Sequence, residues 1–362
     1  MRIAILGTRG IPNFYGGFEQ FAQYLSEDLV KKGHEVYVYN SHTHPYQKSE
    51  WKGVNIIHCK DPENIIGAAG QFIYDLNCIL DSRKRNFDII LQLGYVTSSI
   101  WFWLLPKKAV VITNMDGLEW RRSKFSYILK KIIIFTENLT VKTSDFLISD
   151  SIGIQNYLKN KYSVASKYIP YGTHLMKEDL NEFVLQDLSL EKGGYSLLIA
   201  RMVPENSIET ILKGFVSSST KRKFLVIGST NNRYGQYIKN KFSDPRIIYL
   251  GYISGIDKLN ILRKYSHLYF HGHSVGGTNP SLLEAMGSSA LICAHDNEFN
   301  RAILEEDAFY FNCQKCITVL VNKDLIEKRE VYIKNNISKV KAEYSWNSIL
   351  SEYENFMISK LK

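Results

Sequence analysis

The sequence predicts an α/β protein built from two doubly wound Rossmann-like domains. Short apolar runs alternate with amphipathic stretches, beginning with residues 2–7 and 17–33. This alternation stops near Tyr168 and restarts at Tyr195. Strands that alternate with helices form parallel sheets covered by those helices. The chain of 362 residues is 45% hydrophobic, which is sufficient for two cores and excludes a disordered protein.

The predicted elements divide the chain into two domains joined by a linker. In residues 1–172 the predicted strands are 2–7, 34–39, 55–59, 88–93, 109–113 and 145–149, with helices at 17–33, 65–80 and 123–143. Residues 173–194 are polar and acidic and end in two glycines, so they are interpreted as the linker. In residues 195–344 the predicted strands are 195–200, 223–228, 247–251, 268–271 and 291–294, with helices at 205–217, 234–242, 257–265 and 280–287. Residues 345–362 form a last helix.

Ligands of doubly wound sheets bind beyond the carboxyl ends of the strands. Two glycine-rich loops, residues 9–17 and 274–279, follow predicted strands and are expected to line a cleft where two such edges face each other. The second loop lies in HSVGGTNPSLLEAMG, residues 273–287, where Pro280 suits the first turn of a helix. The start of that helix predicts a phosphate site, because helix N-termini bind anions. Glu284, one turn further on, is expected to accept hydrogen bonds from sugar hydroxyls, which indicates a nucleotide or nucleotide-sugar.

Each of these features has both a functional and a structural interpretation. Arg201 ends a strand and either binds a pyrophosphate or pairs with a surface acid. Asp116 follows another strand and either orients an acceptor hydroxyl or caps a helix. Gly16-Gly17 is a loose phosphate loop or an ordinary turn, and residues 273–287 without a ligand would be a capped surface helix. The sequence has no Walker loop and no GxGxxG, which argues against an ATPase and a dehydrogenase.

The charge of the chain points to an anionic partner. The formal charge is +9, and residues 83–167 alone hold 14 Lys and Arg against 6 Asp and Glu. An anionic membrane surface or a pyrophosphate substrate fits this excess, whereas nucleic acid is disfavoured because no zinc-finger, basic-zipper or RNP-like motif is present. Aromatic residues 101–103 beside Lys107 and Lys108, and the run 124–135, are expected to rest on such a membrane surface.

The sequence offers no strong signal for a metal, a signal peptide or a membrane span. The pairs His42-x-His44 and His271-x-His273 lack an acid or cysteine at metal-ligand spacing, and Cys313-x-x-Cys316 stands alone. No apolar run approaches the ~20 residues of a spanning helix. We therefore expect a cytoplasmic protein without a metal or other cofactor, peripheral on the inner face of the membrane.

The motifs, in this order, resemble those of a GT-B glycosyltransferase of family four, a large family of retaining enzymes. The family's glycine pair matches Gly16-Gly17, and its Ile-Pro-Asn-Gly block matches IPYG at residues 169–172. Its Gly-Arg-Leu-x-Pro-Glu-Lys block matches ARMVPEN at 200–206, and its Leu-Gly-x-Val-Ser block matches LGYIS at 250–254. Its Glu–seven residues–Glu block matches residues 276–284. The resemblance spans nearly the whole chain and implies a GT-B fold in which the last helix packs back on the first domain.

Three positions depart from the family pattern. Asn206 replaces the family's Lys, Gly276 replaces its first Glu, and Asp116 replaces the His of the first domain. A narrower resemblance, carried by GTRGIPxxYGGFE, NxDGLEWxR, ARMxPEN and HSVGGTNPSLLEAMG, is to bacterial rhamnosyltransferases of capsule and O-antigen synthesis. It implies transfer of rhamnose from dTDP-rhamnose to a saccharide on a lipid diphosphate, with retention of configuration and without a metal.

The resemblance also implies roles for single residues. Arg201, the amides around Ser281 and the Gly16-Gly17 turn would stabilise the departing diphosphate, with Asn206 as a neutral donor. Glu284 would hold the ribose-type ring, Tyr252 and Ile253 would lie near the base, and Asp116 would touch the reacting sugar or the acceptor. The remaining residues of the implied donor site are Gly277, Thr278, Asn279 and Leu282.

Other functions stay open at this stage. A nucleotide-sugar-binding protein without transfer activity would account for the residues at 206 and 276. A nucleotide-sugar epimerase would use similar paired sheets without an acceptor. Within the transferase class, a UDP-sugar or GDP-sugar is the alternative donor.

Overall fold

The protein consists of two compact units. A computed structural model describes residues 1–122 and 125–361. The first unit comprises Met1–Tyr171 together with the final helix, and the second comprises Gly172–Ser345. Each unit contains one predominantly parallel sheet with intervening helices, which confirms the predicted α/β class with two Rossmann-like domains.

The first unit is built on an eight-stranded sheet. Its strands are β1 Arg2–Leu6, β2 Glu35–Ser41, β3 Glu50–Trp51, β4 Val54–Cys59, β5 Ile89–Leu93, β6 Val110–Asn114, β7 Phe146–Ser149 and β8 Lys167–Tyr168. Their order is β3-β4-β2-β1-β5-β6-β7-β8. All neighbours are parallel except β3 and β4, which form an antiparallel edge hairpin that the sequence did not predict. The central strand β5 is buried along its whole length, as expected of a continuous apolar strand in a covered sheet.

The helices of the first unit differ from prediction in three places. They are α1 Gly17–Lys31, α2 Glu63–Ile66, α3 Gly70–Ser82, α4 Tyr127–Thr143 and α5 Ile152–Tyr162. The predicted helix 65–80 is interrupted because Gly67 ends α2 with φ 64°, and a 3₁₀ turn at Gly67–Ala69 leads into α3. The predicted helix 123–143 is seen from Tyr127 onward, and residues 123 and 124 lie outside the described chain. Helix α5 was not predicted.

The second unit is built on a six-stranded parallel sheet. Its strands are β9 Tyr195–Ile199, β10 Lys223–Ile227, β11 Ile247–Gly251, β12 Tyr269–His271, β13 Ile292–His295 and β14 Phe309–Phe311. Their order is β11-β10-β9-β12-β13-β14. The helices are α6 Phe183–Asp187, α7 Ile208–Val216, α8 Arg233–Lys241, α9 Ile256–Lys264, α10 Pro280–Gly287, α11 Glu298–Leu304, α12 Gln314–Asn322 and α13 Ile326–Glu343. The predicted strands are present, and β14 is an addition to them.

Two segments of the second unit have a different structure from the one expected. The predicted helix 205–217 is a 3₁₀ turn, Pro204–Asn206, followed by α7, because Ser207 adopts φ 50° between them. Residues 173–194, expected to be a linker, pack within this unit. Thr173 N–H donates to Tyr344 O at 2.7 Å, Gly193 N–H donates to Tyr265 O at 2.8 Å, and α6 buries two apolar side chains.

The final helix, α14 Trp346–Lys360, belongs to the first unit. Its buried residues include Trp346, Tyr353 and Met357. The ring of Tyr353 lies 4.8 Å from that of Phe21, measured between centroids. The Asn114 side-chain amide donates a 3.0 Å hydrogen bond to the Tyr353 hydroxyl. The helix is therefore part of the core beside β6. Among the described residues, no helix is both long enough and apolar enough to cross a membrane.

Candidate functional site

The carboxyl edge of the second sheet brings two of the predicted motifs together. The loop that follows β9 and the glycine-rich loop that follows β12 are neighbours, because these strands are adjacent in the sheet. Ser274 joins them by donating to Glu205 O from its backbone N–H at 3.0 Å and from its hydroxyl at 2.8 Å. The loops approach so closely at Gly272 that a Cβ there would lie 2.0 Å from Asn206 O. Glycine is thus required at position 272.

Arg201 presents an unpaired positive charge at this edge. Its side chain is exposed, and among the described residues it makes no hydrogen bond or ion pair. The structural alternative, a surface ion pair, is therefore not observed. Asn206 differs from its predicted role as a donor to the ligand, because it is only 4% exposed and its amide donates to Arg201 O at 2.8 Å. Asn206 stabilises the loop that carries Arg201.

The start of α10 does not offer the amides expected of it. The Asn279 side chain caps the helix by accepting from Ser281 N–H at 2.9 Å, and Leu282 N–H donates to Asn279 O at 3.0 Å. The side chain of Leu282 is fully buried, and Thr278 is 3% exposed. The predicted contacts of Ser281 and Leu282 with a ligand are corrected accordingly, since these donors are already bonded within the helix start.

Free amides lie instead in the loop that precedes α10. Gly276 and Gly277 make no hydrogen bond with any described residue. Gly276 adopts φ 132°, a conformation that side chains other than that of glycine rarely reach. Successive unbonded N–H groups near a helix start form an anion-binding concavity. These unbonded N–H groups thus lie one short loop before the helix start at which the sequence predicts an anion site.

Glu284 lies on α10 and is held by a buried arginine. Its Oε2 accepts a 2.6 Å bond from Nη2 of Arg263, a residue of α9 that is 1% exposed. The Oε1 atom makes no hydrogen bond within the described chain. Ser281 is fixed nearby by a 2.9 Å hydrogen bond between its hydroxyl and that of Tyr269. Arg263 was missed from the sequence because it lies in a charged helix and belongs to no motif.

Two further predicted residues lie at the same sheet edge. Tyr252 follows β11 and is 81% exposed, and Ile253 beside it is partly exposed. Strand β11 is separated from β9 by β10 alone. An exposed aromatic ring at this edge offers a surface for stacking a base.

The two histidines at the end of β12 are stacked on each other. His271 is fully buried, and its ring stacks on that of His273 with 4.4 Å between centroids. Burial lowers the pKa of His271 well below 6.5, so its ring is neutral. Within the described part of the chain, no group of three or more His, Cys, Asp and Glu is placed to hold a metal ion.

The first unit places Asp116 beside a second carboxyl group. Asp116 and Asp150 follow the neighbouring strands β6 and β7, and Met115 N–H extends the ladder by donating to Ile148 O at 2.8 Å. A side-chain hydrogen bond links the two carboxyl groups. Burial raises the pKa of Asp116, while Asp150 and Arg122 oppose that rise. Asp150 was missed because the pairing of β6 with β7 is not visible in the sequence.

Gly16 and Gly17 also belong to the first unit, at the start of α1. Gly16 has an extended backbone with φ −178°, and its N–H donates to the Asn13 side chain at 3.1 Å. A Cβ at Gly16 would find no atom closer than the Glu19 carboxylate at 3.5 Å. The backbone therefore does not require glycine at position 16. The predicted residues thus form two groups: Gly16, Gly17 and Asp116 in the first unit, and the others in the second.

Comparison with known protein families and curated sequences gives a partial match. A family model described as a domain of unknown function, DUF1972, matches residues 1–174. An uncharacterised 42.6 kDa protein in the cps region of Klebsiella pneumoniae is 24% identical over 282 residues, which cover 70% of this chain and 74% of that protein.

Solved structures match over the whole chain. Sucrose-phosphate synthase from Thermosynechococcus elongatus has a TM-score of 0.84 at 15% identity, covering 99% of this chain and 98% of that one. HepE from Anabaena in complex with UDP-glucose has a TM-score of 0.76 at 11% identity, covering 99% and 100%. WaaG, a glycosyltransferase involved in lipopolysaccharide biosynthesis, has a TM-score of 0.71 at 12% identity, covering 99% of each chain. By its fold, the chain is therefore a GT-B protein.

Proposed function

We propose that this protein is a glycosyltransferase that takes its sugar from a nucleoside diphosphate. The observation that supports the proposal most directly is the exposed, unpaired guanidinium of Arg201. The loop that carries Arg201 accepts hydrogen bonds from Ser274, which belongs to the loop with free amides at Gly276 and Gly277. An unpaired cation and free N–H donors at one sheet edge are suited to a diphosphate. Glu284 supplies an acceptor for a sugar hydroxyl beside them.

The chemistry follows from where charge develops. When the bond from the sugar to the diphosphate breaks, negative charge grows on the diphosphate, and fixed donors that stabilise this charge lower the barrier. Arg201 and the loop amides are these donors in our proposal. No metal is needed, since they neutralise the leaving group. Asp116, in the first unit, contacts the acceptor or the reacting sugar.

The donor and acceptor belong to bacterial surface polysaccharide synthesis in this proposal. The Klebsiella relative is a protein of a cps region. WaaG is a glycosyltransferase of lipopolysaccharide biosynthesis, and HepE was solved with UDP-glucose. We propose rhamnose from dTDP-rhamnose as the transferred sugar, a lipid-linked saccharide as the acceptor, and retention of configuration, in accordance with the motif resemblance.

Thermal unfolding in the presence of dTDP, UDP and GDP, each with and without EDTA, tests the donor class. A ligand at a hundredfold excess over its Kd stabilises the folded state by about 2.7 kcal/mol. We expect the largest stabilisation from dTDP and no effect of EDTA. A larger effect from UDP or GDP would exclude dTDP-rhamnose and keep the enzyme class. Transfer from dTDP-rhamnose to a lipid-linked saccharide, followed by NMR of the anomeric configuration, then tests the reaction.

An apolar surface of the first unit supports a membrane-bound acceptor. Helix α4 exposes Tyr127, Ile128, Ile132 and Phe135, whereas three of its four buried residues are polar: Ile133, Thr136, Glu137 and Thr140. An ordinary amphipathic helix instead buries its apolar side. The helix packs on the 3₁₀ turn Ser99–Leu104, where Trp103 is 57% exposed.

The charges around this surface favour an anionic bilayer. Lys107, Lys108 and Lys131 are exposed, and the ammonium of Lys131 lies 4.6 Å from the Tyr127 ring centroid. Aromatic rings with adjacent lysines are typical of proteins that lie at a membrane interface. Of the run 124–135 expected to rest on a membrane, residue 124 lies outside the described chain. We propose that α4 and this turn bind the inner membrane surface from the cytoplasm.

Vesicle sedimentation tests this surface. The wild type should sediment with vesicles containing phosphatidylglycerol and much less with pure phosphatidylcholine. The double variant Ile128→Glu/Phe135→Glu should lose most of this binding, whereas Val331→Glu, on an exposed apolar site of α13, should keep it. Equal sedimentation of wild type and double variant would exclude this face. Concentration-dependent dimers that disappear in the double variant would show instead that a second copy covers it.

A further inference from the structure

We infer that Cys313 and Cys316 form a thiol–disulfide exchange site, at which a small disulfide molecule oxidises the two thiols to an intramolecular disulfide. The pair lies in the second unit, where Asn312 separates Cys313 from the end of β14 and Cys316 belongs to α12. It includes no residue of the candidate donor site, so the inference goes beyond the proposed function.

The first step concerns the distance between the two thiols. Cys313 Sγ and Cys316 Sγ are 3.0 Å apart and form a thiol–thiol hydrogen bond. Cys313 has an extended backbone just before the first helical residue, and Cys316 follows three positions later, in the first turn of α12. The two sulfurs therefore already face each other, and a bond between them requires only a small movement of the side chains.

The second step concerns what holds the pair in place. Cys316 is partly buried and packs against the core of the second unit. The Gln314 side chain donates to Ser217 Oγ at 2.8 Å, just beyond the end of α7. Thr318 Oγ1 donates to Gly214 O, also at 2.8 Å. These contacts fix the start of α12, so the second thiol stays beside the first while the reaction proceeds.

The third step concerns reactivity. Cys313 is exposed, so a dissolved disulfide can reach its sulfur. The hydrogen bond with the Cys316 thiol lowers the pKa of Cys313, and the backbone N–H groups of Cys316 and Lys315 act in the same direction. The thiolate is the attacking species in disulfide exchange, so Cys313 is the nucleophile of the pair.

The other three cysteines lack this access. Cys59, Cys78 and Cys293 are buried, although a side-chain hydrogen bond also links Cys59 to Cys78. Burial raises the pKa of Cys78 well above its ordinary value, which keeps its thiol protonated. The protein thus contains two neighbouring thiol pairs that differ in accessibility, and the buried pair is an internal control.

The reaction consists of two exchange steps. The Cys313 thiolate attacks one sulfur of the small disulfide RSSR, forms a mixed disulfide with it and releases the other half as RS⁻. The Cys316 thiol then loses its proton to solvent, its sulfur attacks Cys313 Sγ, and the second half leaves as RS⁻. Each RS⁻ takes up a proton, so the protein thiols lose two electrons and the small disulfide is reduced to two thiols.

The experiment incubates the reduced protein with glutathione disulfide at pH 7, stops the reaction with acid and maps the peptides by mass spectrometry. We expect a disulfide between Cys313 and Cys316 that dithiothreitol reverses, with free thiols at the three buried cysteines. A mixed disulfide that persists at Cys313, no reaction of this pair, or earlier oxidation of Cys59 with Cys78 would overturn the inference.

Single variants separate the roles of the two thiols. Cys316→Ser should stop at the mixed disulfide, with one glutathionyl group on Cys313. Cys313→Ser should react at least about tenfold more slowly than the wild type, because the exposed nucleophile is missing. Cys59→Ala changes the buried pair and should form the Cys313–Cys316 disulfide at the wild-type rate. Equal rates for Cys313→Ser and the wild type would overturn the assignment of the nucleophile.

Unfolded protein tests whether the fold creates the site. In urea, α12 no longer holds the two sulfurs together, so the same peptide should form its disulfide at least about threefold more slowly than in the native protein at the same pH. Equal rates would show that sequence spacing alone is responsible and would overturn the inference. Nucleotides take no part in these measurements, so a failure here leaves the proposed function in place.

Discussion

The side-chain amide of Asn206 donates a 2.8 Å hydrogen bond to the backbone carbonyl of Arg201. The position at which the resembling family has lysine thus holds a neutral residue that is bonded to the loop itself. The cation of this loop is Arg201, whose guanidinium is exposed and unpaired in the described chain.

Arg201→Ala should weaken binding of the nucleoside diphosphate without unfolding the protein. The loss of a charge-assisted bond to phosphate predicts a Kd that rises about 10- to 100-fold, measured by calorimetry. Lys221→Ala is the control, because Lys221 is an exposed cation that precedes β10 at the opposite edge of the same sheet. Equal effects of the two substitutions would mean that net charge, and not position, governs affinity.

Asp116→Asn should abolish turnover and leave nucleotide affinity unchanged. Groups that act on protons in the transition state contribute typically 10²- to 10⁴-fold to rate, so kcat should fall by about that factor. Asp145→Asn is the matched control, since the Asp145 carboxylate accepts from Val111 N–H at the other end of the same pair of strands. A wild-type protein that binds nucleotide but shows no turnover with any acceptor would favour a nucleotide-sugar-binding protein.

Gly272→Ala should destabilise the protein much more than Gly16→Ala. A Cβ at position 272 would lie 2.0 Å from Asn206 O, so the two loops must separate, and we expect a loss of at least about 2 kcal/mol. Position 16 has open space and an extended backbone, so the loss there should not exceed about 1 kcal/mol. Urea unfolding measures both. A rise in donor KM for the stable Gly16→Ala protein would indicate that this turn contacts the ligand.

Glu137→Gln should destabilise the first unit. This carboxylate is 1% exposed and accepts from the hydroxyls of Tyr157 and Tyr162 at 2.7 Å and from the ammonium of Lys161 at 2.9 Å. Removing one partner of a buried pair costs about 3 kcal/mol or more. Glu352→Gln breaks an exposed pair with Lys167 and should cost no more than about 1 kcal/mol. Similar urea midpoints for both variants would show that the buried ion pair of Glu137 contributes no more to stability than the exposed pair of Glu352.

Asp75 makes stability depend on pH. Burial raises the pKa of its carboxyl to about 7, opposed by a hydrogen bond from the Thr97 hydroxyl. A carboxyl with a raised folded-state pKa stabilises the folded state when protonated, and this contribution is lost as pH rises from about 4 to about 7. Asp75→Asn cannot ionise, so it should be more stable than the wild type at pH 8, by up to about 4 kcal/mol, and lose this advantage at pH 4. If the free energies of unfolding of the wild type and Asp75→Asn change with pH in parallel, Asp75 is not the source of the pH dependence.

Much of the architecture was predictable because it depends on local patterns. The buried strand β1 is a continuous apolar run, and α1 repeats apolar residues at helical spacing until Gly33. Strand β3 has two residues and gains its structure from the hairpin with β4, so it leaves no periodic signal. Helix α5 is weakly amphipathic, with Ile154 and Leu158 as its buried residues, and was overlooked for that reason.

The candidate site was predictable only in part because side chains compete for the same donors. The sequence locates Arg201 and Glu284 at strand and helix ends, but it does not reveal that Asn279 takes the Ser281 amide. The partners of Glu284 and Asp116 lie on other elements: Arg263 is 21 positions from Glu284, and Asp150 follows the next strand after Asp116. Such pairs depend on how strands and helices pack, which local sequence does not encode.

The placement of α14 has a consequence for how the polypeptide matures on the ribosome. Its residues complete the core of the first unit, but they are translated only after the whole of Gly172–Ser345. Domains normally fold in the order in which they are synthesised. Here the second unit can reach its folded state while the first still exposes the surface that Trp346 and Tyr353 will cover. We expect nascent chains arrested before α14 to depend on chaperones, and protease resistance of the first unit to appear only when that helix has emerged.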